Sequence, residues 1–104
     1  MESNELNYEN LSRCLKGLAN ELRLKILYYL EGGEKTVTEI EQYTGSSQSN
    51  ISQHLNLMRD KNILSSRKEA NLIYYSIKNK DILLNIKNLC CIFKLECQLT
   101  KQQR

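Results

Sequence analysis

Three cysteines near the C-terminus are the side chains of this sequence best suited to chemistry. Cys90, Cys91 and Cys97 lie within eight residues of chain. Their thiolates are soft ligands, which favour thiophilic ions over oxygen-seeking cations such as magnesium or calcium. Neighbouring thiols beside Lys87 and Lys94 are also candidates for oxidation to a disulfide or persulfide, because nearby cations favour the reactive thiolate. The cluster therefore predicts a sensor of a soft ion or of an oxidant.

The alternative is that these cysteines only pack against neighbours. A cysteine on an apolar helix face often acts as a small hydrophobe, and Cys90 could pack beside Leu89 and Phe93. Three thiols within eight residues make such a coincidence less expected, so we favour the sensor. Softness alone admits copper(I), cadmium or lead as the bound ion.

Composition limits the classes of protein to be considered. With 104 residues, the chain is long enough for a modest core, and we expect residues 1–104 to form one domain. The sequence has no signal-like segment and no apolar run that could span a bilayer, which predicts a cytoplasmic protein without a membrane partner. Thiols stay mostly reduced there, so four cysteines indicate metal binding or redox sensing rather than disulfides. The formal net charge of +3 permits nucleic-acid binding without requiring it.

Apolar residues at helical spacing predict four helices in the first part of the chain. The first runs from about Tyr8 to Leu18 and places Cys14 in the core. The others span residues 20–30, about 38–43 and 46–61, with N-caps at Asn20, at Thr38, and at Ser46 or Ser47.

Two strands and a fifth helix complete the prediction. The segments Ile63 to Glu69 and Leu72 to Ile77 are rich in β-branched and aromatic residues and flank a tight turn, in which Asn71 can take a positive φ. A last helix begins near Asn79 and carries apolar residues into the cysteine cluster. The predicted fold class is mainly α with a β-hairpin wing (α+β), in the order four helices, two strands, one helix.

This order of elements is typical of a winged helix-turn-helix, in which the second helix of the pair lies in the major groove of DNA. The fourth helix carries polar side chains that can bond base edges or phosphates, namely Gln48, Ser49, Ser52, Gln53 and His54. Arg67 and Lys68 near the hairpin tip would neutralise phosphates. Polar helix faces and paired basic residues are each common on surfaces, but their order along the chain favours DNA binding.

Four segments of the sequence match one known protein family. They read LANELRLKIL (residues 18–27), SQSNISQHL (47–55), RKEA (67–70) and YYSI (74–77). The chain resembles the arsenic-repressor (ArsR/SmtB) family over nearly its whole length. The resemblance implies a homodimeric winged-helix repressor that binds a palindromic operator and dissociates when an inducer occupies a sensing site. The apolar surfaces of the first and last helices would then form the dimer interface.

The resemblance also discriminates among the sensing sites of that family. The arsenic and cadmium site at the start of the third helix needs a Cys-x-Cys, which residues 37–40 lack. The zinc site needs His and acidic residues on the last helix, whereas the one histidine here is His54. Redox and persulfide sensors pair a last-helix cysteine with one on the second helix, where this chain has Tyr28.

A further branch of the family is more similar. Its arsenite sensors carry adjacent cysteines on the last helix and a third cysteine six positions later, which matches Cys90, Cys91 and Cys97. The resemblance therefore implies a repressor that needs no cofactor and is released by arsenite, As(III), with antimonite, Sb(III), as a second candidate inducer.

The cysteine spacing puts a condition on such a site. In an ideal helix Cys90 and Cys97 would lie about 10.5 Å apart along the axis, at ~1.5 Å per residue, so both sulfurs could not reach one ion. We therefore predict that the segment from about Ile92 to Glu96 unwinds or bends when three thiolates bind one arsenic. That movement would strain the adjoining dimer interface and weaken operator binding.

Two other functions stay open from the sequence. A thiol-based redox or reactive-sulfur sensor would use the same cysteines in oxidised form. An interaction module would bind protein through the winged helix and leave the cysteines idle. An enzyme is not expected, because no acid or base is paired with a nucleophile and no glycine-rich phosphate loop occurs.

Overall fold

The computed structural model describes residues 6–94 of the chain. Within them the chain forms five helices and three strands, which are α1 (Tyr8–Leu18), α2 (Glu21–Leu30), β1 (Lys35–Thr36), α3 (Val37–Thr44), α4 (Gln48–Asp60), β2 (Leu64–Glu69), β3 (Leu72–Ile77) and α5 (Asp81–Ile92). The predicted mainly-α winged-helix architecture is confirmed, with one additional strand. None of the helices in this part of the chain is long and apolar enough to cross a membrane.

The additional strand, β1, makes the predicted hairpin into a three-stranded antiparallel sheet in the order β1-β3-β2. Lys35 and Thr36 pair with Tyr75 and Tyr74. A two-residue strand shows no alternation that sequence patterning could detect. It forms because β3, nearly forty residues further along the chain, offers its free edge.

The tight turn of the wing has positive φ angles at two residues. Asn71, for which a positive φ is predicted, has φ 72°, and Ala70 has φ 50°. Two consecutive positive φ angles between paired strands match the two-residue hairpin turns that follow the strand twist. The turn fixes the register of β2 on β3, in which Arg67 lies opposite Tyr74.

Capping side chains fix the helix starts. Asn20 and Ser47 accept the backbone N–H groups of Arg23 and Asn50, as a good N-cap does. The prediction for α3 is wrong, because its cap is Thr36 and not Thr38. Thr36 forms a capping box with Glu39, in which each side chain accepts the other residue's backbone N–H.

The core lies between α2, α3, α4 and the helix-facing side of the sheet. Its fully buried side chains are Ile26, Leu27, Leu30, Ile40, Ile51, Leu55, Met58, Ile63 and Leu64. From α5, Leu83 joins this cluster, and Ile82 and Ile86 pack against it.

Helix α1 contributes less to the core than its sequence predicts. Its one buried residue is Gly17, where an added Cβ would come within 2.6 Å of the Lys61 side chain. Cys14 is half-buried and not in the core, which corrects that expectation. The apolar stripe of α1 instead leaves Leu11 and Leu15 exposed.

Candidate functional site

Helix α4 presents a polar face opposite its buried face. Ile51, Leu55 and Met58 are completely buried. Of the predicted DNA-reading residues on the other side, Gln48, Ser49 and Gln53 are exposed and Ser52 is half-buried. Their amides and hydroxyls can both donate and accept, which is what base edges in the major groove require. The predicted reading residues therefore lie together on the outer side of one helix.

His54, the fifth predicted reading residue, is tied into the protein. The Nη1 of Arg23 lies 3.0 Å from its Nδ1. A guanidinium can only donate, so Nδ1 accepts and the neutral ring carries its proton on Nε2. Desolvation, and secondarily the charge of Arg23, lower the pKa of His54 below its ordinary 6.5. Of the two ring nitrogens of His54, only Nε2 can therefore donate a hydrogen bond to DNA.

Arg23 joins three helices at this point, a role that the sequence alone did not reveal. From α2 it donates to the backbone carbonyls of Gly17 at 2.8 Å and Lys16 at 3.1 Å, at the end of α1. The same guanidinium reaches His54 on α4. Since cations are favourable at helix C-termini, this contact both satisfies the last carbonyls of α1 and positions the reading helix.

The two basic residues predicted for the wing have different surroundings. Arg67 is paired with Glu34 and Glu69. The hydrogen bonds to Glu34 and then Glu69 raise the pKa of Arg67, and the hydrogen bond from Arg67 lowers the pKa of Glu34. Lys68 is exposed and has no ion-pair partner within residues 6–94.

The predicted cysteine site lies at the end of α5. Cys90 is half-buried and Cys91 is exposed. The helix ends at Ile92, and Lys94 has a positive φ of 57°, so the chain already leaves its helical path at Phe93 and Lys94. The unwinding or bending of residues 92–96 on arsenic binding stays a prediction. Cys97 lies outside the described residues. Within those residues, no group of three or more potential ligands is close enough to hold a metal ion.

An ion pair ties α5 to the winged-helix body just before the cysteines. Lys87 Nζ lies 2.9 Å from Glu31 at the end of α2, and both side chains are partly buried. Among the ion pairs of residues 6–94, this is the one that joins α5 to another element. Lys87, one of the two lysines close to the thiols in sequence, is therefore paired with a carboxylate.

Beyond this ion pair, the terminal helices carry uncovered apolar side chains. Large exposed hydrophobic residues on and beside α1 and α5 are Leu6, Tyr8, Leu11, Leu15, Leu84, Leu89, Ile92 and Phe93. Apolar exposure of this extent is typical of interaction surfaces.

Comparison with known proteins places this arrangement in a family. A model described as "Bacterial regulatory protein, arsR family" matches residues 20–66. The HTH-type transcriptional regulator YgaV of Escherichia coli (strain K12) is 39% identical in an alignment of 87 residues that covers 80% of this chain and 88% of YgaV. The arsenical resistance operon repressor of Bacillus subtilis (strain 168) is 32% identical over 82 residues, covering 76% of this chain and 77% of the repressor. The chain belongs to the arsR family.

The structural comparison agrees with that assignment. HlyU from Vibrio cholerae aligns with a TM-score of 0.73 at 34% identity, over 86% of this chain and 97% of HlyU. This arsR-family chain is thus a DNA-binding transcriptional repressor of the winged-helix type and not an enzyme. The predictions of family, fold class and absence of enzymatic activity are confirmed. The family match ends before Arg67 and does not extend to the cysteines.

Proposed function

We propose that the chain is an arsenite-responsive repressor, which binds a palindromic operator as a homodimer and is released when As(III) binds Cys90, Cys91 and Cys97. The observation that carries this proposal is the position of Cys90 and Cys91. They lie at the end of α5, a helix that exposes apolar side chains and is separate from the reading face of α4. Thiols in that position can be modified without touching DNA.

The partner proposed for the uncovered apolar surface is a second copy of the chain. Within residues 6–94, all large apolar side chains that are more than half exposed lie on or beside two helices, α1 and α5. In a two-fold dimer the same surface of each subunit forms the interface, so the apolar surface of one chain would be covered by the identical surface of the second copy. The two reading helices would then meet half-sites about 34–36 Å apart, one turn of DNA.

The chemistry of the site suits trivalent arsenic. Arsenous acid can exchange its three hydroxyl groups for three thiolates, and each cysteine proton leaves with a hydroxyl group as water. Soft thiolate ligands favour this exchange, and the same reasoning extends to antimonite. The similarity to an arsenical resistance operon repressor supports the proposal without specifying these three cysteines.

We also propose how arsenite binding leads to release of DNA. α5 ends at Ile92 and the chain turns at Lys94, so the described residues after Cys91 do not continue as a straight helix. Drawing Cys97 towards the pair would move the exposed residues of the last turn, Ile92 and Phe93. Because these residues belong to the proposed dimer surface, the spacing of the two reading helices would change.

The test is release of DNA by arsenite. The chain is bound to the DNA upstream of its own gene, arsenite is added, and bound DNA is followed by fluorescence anisotropy. We expect release of the wild type and of Cys14→Ser, the matched control, whereas Cys91→Ser and Cys97→Ser should bind DNA and stay bound. Arsenite release that is unchanged in Cys97→Ser would contradict the three-thiol site.

A thiol redox sensor is the second candidate. It is favoured by the exposure of Cys91 and by the similarity to HlyU, which has also been solved in a reduced form. Two thiols then form a disulfide and lose two protons and two electrons to peroxide, which becomes two waters. Alternatively, one thiolate takes a sulfur atom from polysulfide, which leaves one sulfur shorter, and becomes a persulfide. DNA release by peroxide or polysulfide but not by arsenite would establish this candidate and exclude the first.

A further inference from the structure

The two faces of the wing carry different charges. Strand pairing places Arg67 opposite Tyr74 and Lys68 opposite Ile73, and consecutive side chains of a strand point to opposite faces of the sheet. Leu64, at the base of β2, is buried and shares a face with Lys68 by this alternation. Lys68 therefore extends the face that packs against the helices, and Arg67 lies on the outer face.

All three nitrogens of the Arg67 guanidinium donate to carboxylates on that outer face. Its Nε donates to both carboxylate oxygens of Glu34, at 3.1 and 3.0 Å, and its Nη2 also donates to Glu34. Nη1 donates to Glu69. The guanidinium carbon lies 4.6 Å from the centre of the Tyr74 ring. Carboxylates therefore accept hydrogen bonds along both edges of the planar guanidinium, and the Tyr74 ring covers one of its two faces.

Glu34 reaches Arg67 because of the short strand β1. Lys35 pairs with Tyr75, so Glu34, one residue earlier, stands at the edge of β3 on the face of Arg67. Glu34 also ends the turn that follows α2, where Gly33 takes a φ of 131°. The ion pair thus joins the wing to the turn between α2 and β1.

This cluster is unfavourable for a phosphate. Two carboxylates and one guanidinium carry more negative than positive charge, and a phosphate would have to displace a carboxylate that is already bound in the fork geometry. Lys68 is exposed, and no acidic side chain within residues 6–94 is paired with it. The two neighbouring basic residues are therefore not equivalent.

We propose that Lys68 is the phosphate contact of the wing, and that Arg67 is a positioning residue, which Glu34 and Glu69 withhold from DNA while it ties the wing to the turn after α2. This assigns different roles to two residues that the sequence treated alike. It rests on DNA binding by the chain, and it is independent of the inducer.

The salt dependence of binding tests the proposal without knowledge of the operator. The slope of log affinity against log salt is steeper by ~0.9 for each phosphate that the protein neutralises. On a mixed-sequence duplex, we expect Lys68→Gln to flatten the slope by ~0.9 per bound subunit. Arg67→Gln should leave the slope unchanged and weaken binding by one constant factor at every salt concentration, because it only mispositions the wing.

Release of Arg67 from its carboxylates gives the opposite result. In the double variant Glu34→Gln with Glu69→Gln, the free guanidinium should reach a phosphate and steepen the slope by ~0.9 per subunit. Adding Arg67→Gln should return the slope to its wild-type value, which separates the released cation from the general loss of acidic charge. Circular dichroism melting curves establish that each variant is folded.

Two results would overturn the assignment. One is a flatter slope in Arg67→Gln, equal to that of Lys68→Gln. The other is a steeper slope in the double variant that persists after Arg67 is replaced. Absence of salt-dependent binding by the wild type would instead overturn DNA binding itself, and this assignment with it.

Discussion

The winged-helix body and the two terminal helices use their apolar residues in opposite ways. In α2, α3 and α4, Leu27, Ile40 and Leu55 are completely buried. On the terminal helices, Leu15 is 51% exposed and Leu84 is 57% exposed. The body buries most of its large apolar side chains within one chain, whereas α1 and α5 and the residues beside them carry those that are more than half exposed, for which a second copy is the proposed partner. The proposed inducer site is on the incompletely covered part, where a small change in chain path can have the larger effect on assembly.

The body should therefore lose the most stability when its packing is reduced. Leu55→Ala removes a fully buried side chain from α4 and should cost about 2–5 kcal/mol of the free energy of unfolding, as core truncations to alanine do. Urea denaturation measures this. Leu24→Ala on α2, where the side chain is 38% exposed, is the control and should cost much less. Equal losses of unfolding free energy in Leu55→Ala and Leu24→Ala would contradict the assignment of Leu55 to a tightly packed core of the body.

The terminal helices should instead lose assembly when they are changed. Leu84→Glu places a charge in the exposed apolar face of α5, and we expect the dimer to dissociate and operator affinity to fall at least about tenfold, equivalent to ~1.4 kcal/mol. Sedimentation and DNA titration measure the two effects. Asn85→Glu adds the same charge at an exposed polar neighbour and should leave both unchanged. A Leu84→Glu variant that remained dimeric would remove α5 from the proposed interface.

How much could be predicted from sequence depends on how far apart along the chain the interacting residues lie. The bounds of α1 and α2 and the start of β3 follow from local periodicity and caps, and the structure agrees with them. β1 and the Glu34–Arg67 pair could not be predicted, because their partners lie more than thirty residues away and are set by sheet register. The exposure of Cys14 depends on which side of α1 the body covers, which helical spacing alone does not define.

The start of α3 depends on which of two nearby threonines is the N-cap. Thr36 and Thr38 each have a glutamate three residues later, Glu39 and Glu41, so the sequence pattern of a capping box fits both, but the box forms at Thr36. Thr36→Ala should cost ~1 kcal/mol of stability, and Thr38→Ala, on the exposed side of the first turn, should cost little. Urea denaturation of the pair measures the difference. The reverse order would restore Thr38 as the cap.

The smallest expected effect concerns the joint between α1 and α4 and depends on pH. Folding lowers the pKa of His54 below 6.5, mainly by desolvation and also by the charge of Arg23, so the unfolded chain binds the additional proton more readily. The contribution to stability is therefore complete above pH 6.5 and is lost as pH falls through and below that value. Since the ring is only partly buried, the loss should be small. Denaturation on either side of pH 6.5 measures it, and His54→Gln should remove this part of the pH dependence. A wild type that became more stable on acidification through this range, with the difference abolished in His54→Gln, would mean that protonated His54 has an acidic partner in place of the Arg23 contact.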